Sequence, residues 1–210
     1  MEKPLIITLL YTANIRGDIH MLPRLYTFMQ TLKPTERQGT LIVDLGNLCA
    51  DDVWHCAVTH GRSTLIVLDA MGYHAVNVAD SLESDHREKV ADIVTMGLVD
   101  EENTWQYHIP PVIDETIQAT LNPKDTSCRI QICLSPAEST YIDGNTLYLA
   151  DIPAAHIGIV QVDIHDSPII THQEQHKLPP QTPPNPTIVA SVEFVESEAR
   201  YFQKKQTGEI

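Results

Sequence analysis

The sequence predicts an α/β fold, a layered and mostly parallel or mixed sheet flanked by helices. Through residues 5–97, apolar runs of strand length alternate with amphipathic helical segments, and strand alternating with helix implies a parallel sheet. Beyond residue 97 the pattern turns strand-rich, and Pro110, Pro111, Pro123 and Pro136 break the chain into short pieces. With 210 residues, 42% of them hydrophobic, the chain is long enough to bury a real core.

The first strand is Leu5-Ile6-Ile7-Thr8-Leu9-Leu10-Tyr11, a continuous apolar run of the kind buried on both faces. Ile19, Leu22, Leu25, Phe28, Met29 and Leu32 then recur at helical spacing, with Pro23 in the first turn and Pro34 as a stop. Thr40 to Asp44 predicts a second buried strand, and a helix runs from about Ser63 to Met71 and stops at Gly72. Ala75 to Val78 is the third strand, and Asp85 to Met96 sets Val90, Ile93 and Val94 on one helical face before Gly97. In the second half the helical stretch Asp114 to Leu121 is followed by strands at 129–134, 146–150 and 156–164, with Asp143-Gly144 as a turn before the middle one.

Five prolines fall within residues 179–186, which favours an extended, semi-rigid linker. Ile188, Val192, Val195, Ala199 and Phe202 follow at alternating spacings of four and three. The chain thus divides into an α/β domain at 1–178, a Pro-rich linker at 179–186 and a C-terminal amphipathic helix at 187–210. That helix must bury its stripe, on its own domain or on a partner chain, the latter giving a homo-oligomer.

Asp plus Glu number 28 against 14 Lys plus Arg, a formal charge of -14, which makes nucleic acid and anionic membranes poor partners. The apolar run 5–10 is too short to span a bilayer and no small-residue cleavage site follows it, so a cytoplasmic location is expected. Cys49, Cys56, Cys128 and Cys133 have neither zinc spacing nor the density of a disulfide scaffold, and read as buried small hydrophobes without redox chemistry.

Ligands of an open parallel sheet bind at the carboxyl ends of its strands. Those loops read Thr12-Ala13-Asn14-Ile15-Arg16-Gly17-Asp18, Asp44-Leu45-Gly46-Asn47 and Asn77-Val78-Ala79-Asp80-Ser81, the last preceded by Gly72-Tyr73-His74-Ala75-Val76. In order and spacing these blocks resemble the calcineurin-like metallophosphoesterases, and within them the 5′-nucleotidase branch, whose corresponding motifs are T-N-D-x-H-G, D-x-G-D and G-Y-D-A-V-T-x-G-N-H-E. The resemblance covers residues 5 to about 96 and implies a truncated metallophosphoesterase domain.

It also implies a site for two divalent cations, bridged by a carboxylate, that clamp a phosphate and activate water. Carried over residue by residue, the first Asp of the family falls on Asn14, its first His on Arg16, its bridging Asp on Asn47, and its Asn-His pair on Asp80 and Ser81. All five have changed. A guanidinium has no lone pair for a metal, and unit charges about 4 Å apart interact by about 4 kcal/mol at an effective dielectric near 20, so Arg16 opposes a dication there. The family's later His loops have no counterpart. These are vestigial metal-site positions, with no catalytic residue and no cofactor expected, and Arg16 is expected to pair with Asp80.

Two alternatives follow from the same residues. Asp51, Asp52, His55 and His60 offer a relocated or single site for a metal such as manganese or zinc, with Asp51 or Asp52 sharing a helical face with His55. Asp18, His20, Asp85 and His86 are weaker candidates of the same kind. Arg16 with the peptide N–H groups around Gly17 offers an anion site. No G-x-S-x-G elbow, Ser/His/Asp order or phosphate loop is present. The expectation is therefore a non-catalytic pseudoenzyme that binds a protein partner or small anionic ligand, and the competing reading is a phosphoesterase or nucleotidase working through the relocated metal.

Overall fold

Strand β1 (Ile6–Thr12) lies at the centre of the molecule because both of its faces are apolar. A computed structural model describes residues 5–34, 39–82, 84–109, 116–124 and 128–209. After β1 the elements are α1 (Leu22–Leu32), β2 (Thr40–Asp44), α2 (Trp54–Thr59), α3 (Arg62–Ala70), β3 (Ala75–Asn77), α4 (Ser84–Ala91), β4 (Gly97–Val99) and β5 (Trp105–His108). They continue with β6 (Thr116–Thr120), β7 (Ile130–Ala137), β8 (Tyr141–Asp143), β9 (Thr146–Ala150), β10 (His156–Asp163), β11 (Ile169–Lys177) and α5 (Pro186–Thr207).

Two sheets result, one ordered β11-β10-β1-β2-β3-β4 and one ordered β5-β6-β7-β9-β8. In the first, β1 to β4 are parallel to one another, while β10 runs antiparallel to β1 and β11 to β10. Period-two alternation sorts the side chains of β1 into two cores. Leu10 joins Ile42, Val76 and the apolar faces of α1, α3 and α5. Ile7, Leu9 and Tyr11 turn the other way, onto Ile117, Ile130, Ile132, Leu147 and Leu149 of the second sheet.

Several sequence expectations are corrected here. The stretch expected to be helical at 114–121 contains strand β6, whose Ile117 and Ala119 are fully buried between the sheets; pairing with β5 and β7 overrides local helical preference, and 114–115 lie outside the described residues. The helix expected to reach Met96 stops at Ala91, so Ile93 is exposed, and Gly97–Val99 adds a fourth parallel strand. Strand β11, Ile-Ile-Thr-His-Gln-Glu-Gln-His-Lys, gives no apolar signal because it is an edge strand with most of its side chains in solvent.

Helix α5 lays Ile188, Val192, Val195 and Ala199 onto the helix-side core of its own chain, so that stripe is not available to a partner. Its start is fixed by Asn185, whose side chain accepts from the Thr187 and Ile188 amides, with Pro186 in the first turn. The Pro-rich segment is held rather than free. Prolines cannot donate, so its carbonyls are the groups left to satisfy, and Arg24 on α1 donates to the Pro179, Pro180 and Thr182 oxygens at 3.0, 2.6 and 3.1 Å.

Gly158 on β10 sits opposite Tyr11, and a Cβ there would lie 2.1 Å from the tyrosine ring. The residue is not in the left-handed region, so Gly158→Ala changes sterics without straining the backbone. It is expected to lower stability by about 1–3 kcal/mol through overpacking, read as a fall in the urea midpoint at unchanged m-value.

Candidate functional site: the loops at the strand ends

The loops after β1 and β2 continue side by side beyond the sheet. The Asn14, Arg16 and Gly17 amides donate to the Gly46, Asn47 and Leu48 carbonyls at 3.1, 2.9 and 2.7 Å. Asn14, Arg16 and Asn47 all take left-handed backbone, with φ of 58°, 53° and 56°. Asn tolerates that region, but Arg does so at a cost, so the paired loops hold Arg16 in place. Gly17, at φ 80°, has no room for a side chain, since a Cβ would lie 2.8 Å from the Cys56 sulfur.

The amides form a chain. Asn47 Nδ2 donates to Asn14 Oδ1 at 2.8 Å, and Asn14 Nδ2 donates to Asp151 Oδ1 and the Ile152 carbonyl, both at 2.9 Å. Ser81 Oγ accepts from the Leu48 amide at 3.3 Å. Arg16 and Asp80 are both exposed, and among the described residues no ion pair joins them; the expected Arg16–Asp80 contact is therefore not formed. The Arg16 and Gly17 amides are spent on the neighbouring loop, which leaves an anion only the Arg16 guanidinium rather than a ring of N–H groups.

Donor chemistry does not suit a pair of dications. At the five matched positions stand two amides tied to each other, a guanidinium, a hydroxyl accepting from backbone, and one exposed carboxylate. Among the described residues no group of three or more His, Cys, Asp or Glu is arranged to hold a metal ion. The relocated set fares no better. His55 is buried, with Nδ1 2.7 Å from Ser63 Oγ and Nε2 2.9 Å from the Gly17 carbonyl, and burial lowers its pKa. Neither nitrogen is left for a metal. Helix α2 begins only at Trp54, so Asp51 and Asp52 lie in the preceding turn and share no helical face with His55. His60 stacks on His86, centroids 4.0 Å apart.

A cavity of about 420 Å³ opens beside these loops and does gather Asp51, His60, Asp80 and Ser81, with Cys49 and Cys56 in its wall. Asn14, Arg16 and Asn47 do not line it. Cys49 and Cys56 form a disulfide, Cα atoms 5.7 Å apart, which corrects the expectation of four free thiols. The loop after β2 folds back onto α2 and brings the two together, a closure that spacing alone does not reveal. Cys128 and Cys133 are not part of that disulfide.

Sequence reasoning also passed over three buried polar residues that shape the loops. Asn77 donates to the Leu45 and Leu134 carbonyls and accepts from the Ala79 amide, tying the end of β3 to the loop after β2 and to β7. Asp44, fully buried, accepts from Thr12 Oγ1 at 2.5 Å and from the Gly46 amide at 2.8 Å. The Tyr73 hydroxyl lies 2.8 Å from the same Thr12 oxygen. Burial pushes the Asp44 carboxyl up to about 7, outweighing these hydrogen bonds.

Two packed sheets, helices outside the first, and loops converging at the ends of β1, β2 and β3 make up a layered α/β fold. Among solved structures the chain is similar to a 5′-nucleotidase precursor from Thermus thermophilus, with a TM-score of 0.60 and 10% identity over 97% of this chain and 59% of that one. It is also similar to the NAD nucleotidase of Haemophilus influenzae, with a TM-score of 0.54 and 9% identity over 99% of this chain and 60% of that one. The chain therefore spans less than two thirds of either protein's length, and at such identities the likeness is one of fold. No protein-family model and no curated protein sequence matches.

Two measurements check this geometry. The folded chain keeps the Asp44 proton up to about pH 7, whereas the unfolded chain releases it near the ordinary carboxylate value. Unfolding thus releases a proton between these limits, and the Asp44 contribution to stability falls as pH rises, by at most about 1.4 kcal/mol per pH unit. Asp44→Asn, which mimics the protonated acid, is expected to flatten the slope of the urea midpoint between about pH 4 and about pH 7. Alkylation of the denatured, unreduced chain is expected to label Cys128 and Cys133 only, and dithiol treatment to add Cys49 and Cys56, counted by mass spectrometry.

Proposed function

We propose that this chain is a non-catalytic protein of metallophosphoesterase fold, a pseudoenzyme that serves as an interaction or small-ligand-binding module. The observation that carries this reading is the Asn47–Asn14–Asp151 chain, in which the lone pairs and protons of the amides satisfy one another where the related chemistry needs carboxylates facing two cations. Arg16 adds a fixed positive charge to the same loop, held there in left-handed backbone. The competing reading is a phosphoesterase or nucleotidase using a relocated or single metal ion through Asp51, Asp52, His55 or His60; the engagement of both His55 nitrogens with Ser63 and Gly17 and the exposure of the other three disfavour it.

Partners in this reading are a small anionic ligand or a protein surface, and the charge of -14 sets it against nucleic acid and anionic membrane. Among the described residues no helix is long and apolar enough to cross a membrane. The Cys49–Cys56 disulfide favours an oxidising compartment over the cytoplasm.

Metal analysis after manganese or zinc loading and desalting, with hydrolysis assays on bis-p-nitrophenyl phosphate and a nucleoside monophosphate, tests the proposal. Substoichiometric metal and no turnover above the rate of a heat-denatured control are expected. Stoichiometric metal with turnover that Asp51→Asn or His60→Ala abolishes would establish the hydrolase instead.

A further inference from the structure

The Cys49–Cys56 bridge stands in the wall of the cavity of about 420 Å³ that opens beside the strand-end loops. Its two sulfurs are unequally placed. Cys56, on α2, is 3% exposed, whereas Cys49, in the loop after β2, is only partly buried. The hydroxyl of Thr64, a fully buried residue of α3, lies 3.1 Å from Cys49 Sγ and 3.9 Å from Cys56 Sγ. A disulfide sulfur carries no proton, so the hydroxyl is the donor there, placed to meet either sulfur when the bond opens.

The bridge also closes a circuit around Gly17. Leu48, the residue before Cys49, accepts from the Gly17 amide at 2.7 Å, and His55, the residue before Cys56, sets its Nε2 2.9 Å from the Gly17 carbonyl. The Cys56 sulfur fills the space where a Gly17 side chain would stand. Gly17 and the adjoining Arg16 are thus clasped between two segments that the disulfide joins covalently. Opening that bond leaves the clasp on hydrogen bonds alone.

We propose that Cys49 is a site of reversible thiolation by a small thiol entering this cavity, with Cys56 as the leaving and resolving group, and that opening the bridge loosens the Arg16–Gly17 loop. A thiolate attacks Cys49 Sγ; an S–S bond to the incoming sulfur forms, the bond to Cys56 breaks, and Cys56 leaves as a thiolate that takes a proton from solvent. Cys56 then either returns and expels the small thiol, or a second small thiol attacks the mixed disulfide. In the latter case two small thiols are oxidised to one small disulfide while the protein bridge is reduced to two thiols. The step uses no metal and no phosphate ester. Metal and turnover assays therefore leave it open, and its failure leaves the non-catalytic reading as it stands.

Reduction of the folded chain by cysteamine, followed at increasing urea below the unfolding transition and counted by alkylation and mass spectrometry, tests the proposal. Attack through the cavity needs no unfolding, so the rate is expected to stay within about two-fold over that range. A rate that climbs from the first addition of urea with the slope of global unfolding would show a shielded bridge and overturn it. Cystamine is expected to modify Cys49 in Cys56→Ser at least about ten-fold faster than Cys56 in Cys49→Ser, by peptide mapping; equal rates or the reverse order refute the assignment. In the reduced chain, amide exchange at Arg16 and Gly17 is expected to speed up by at least about ten-fold while β10 is unchanged. No change at those two amides, or a rise of the same size in β10, counts against the proposal equally.

Discussion

Three peptide hydrogen bonds between the loops after β1 and β2 are the constraint on which the site depends. They extend the parallel pairing of the two strands past the end of the sheet, and they require left-handed residues on both sides to stay in register. The course of the loops is therefore set by this backbone pairing. Backbone geometry and metal chemistry are separable here, and a sequence can lose the second while retaining the first.

At positions 14 and 47 the loops are closed by amide hydrogen bonds. A dinuclear site balances anionic donors against two cations, and removing the cations leaves carboxylates that repel one another. With amides at 14 and 47 the same space is filled by groups that donate and accept in turn, ending on Asp151. Deeper in, Asp44 is a fully buried carboxylate, and burial raises its pKa. Its partners Thr12 and Gly46 soften that rise without cancelling it.

What the sequence made visible was what periodicity can express. β1, β2, β9 and β10 are apolar or alternating runs, and the stripe of α5 repeats at helical spacing, so all were legible, and the alternation of strand and helix in the first half implied a parallel sheet there. β11 was hidden because an edge strand facing water needs no apolar alternation, and β6 because its five residues take their state from β5 and β7. At the site, the matched positions were found by motif order alone. Their partners were not: the Asn14–Asp151 bond joins residues 137 apart, and the Cys49–Cys56 bridge depends on how a loop returns to a helix. Such pairings are properties of the closed fold, with no local pattern to announce them.

The central position of β1 also bears on how the chain is made. Its left-hand neighbour in the sheet, β10, pairs Ile6 with Asp163 and Tyr11 with Gly158, so during synthesis the most apolar strand waits with one edge open until some 150 residues more have emerged, about the separation that this register sets. Closing so long a loop slows folding, and an unpaired apolar edge invites strand exchange between nascent copies.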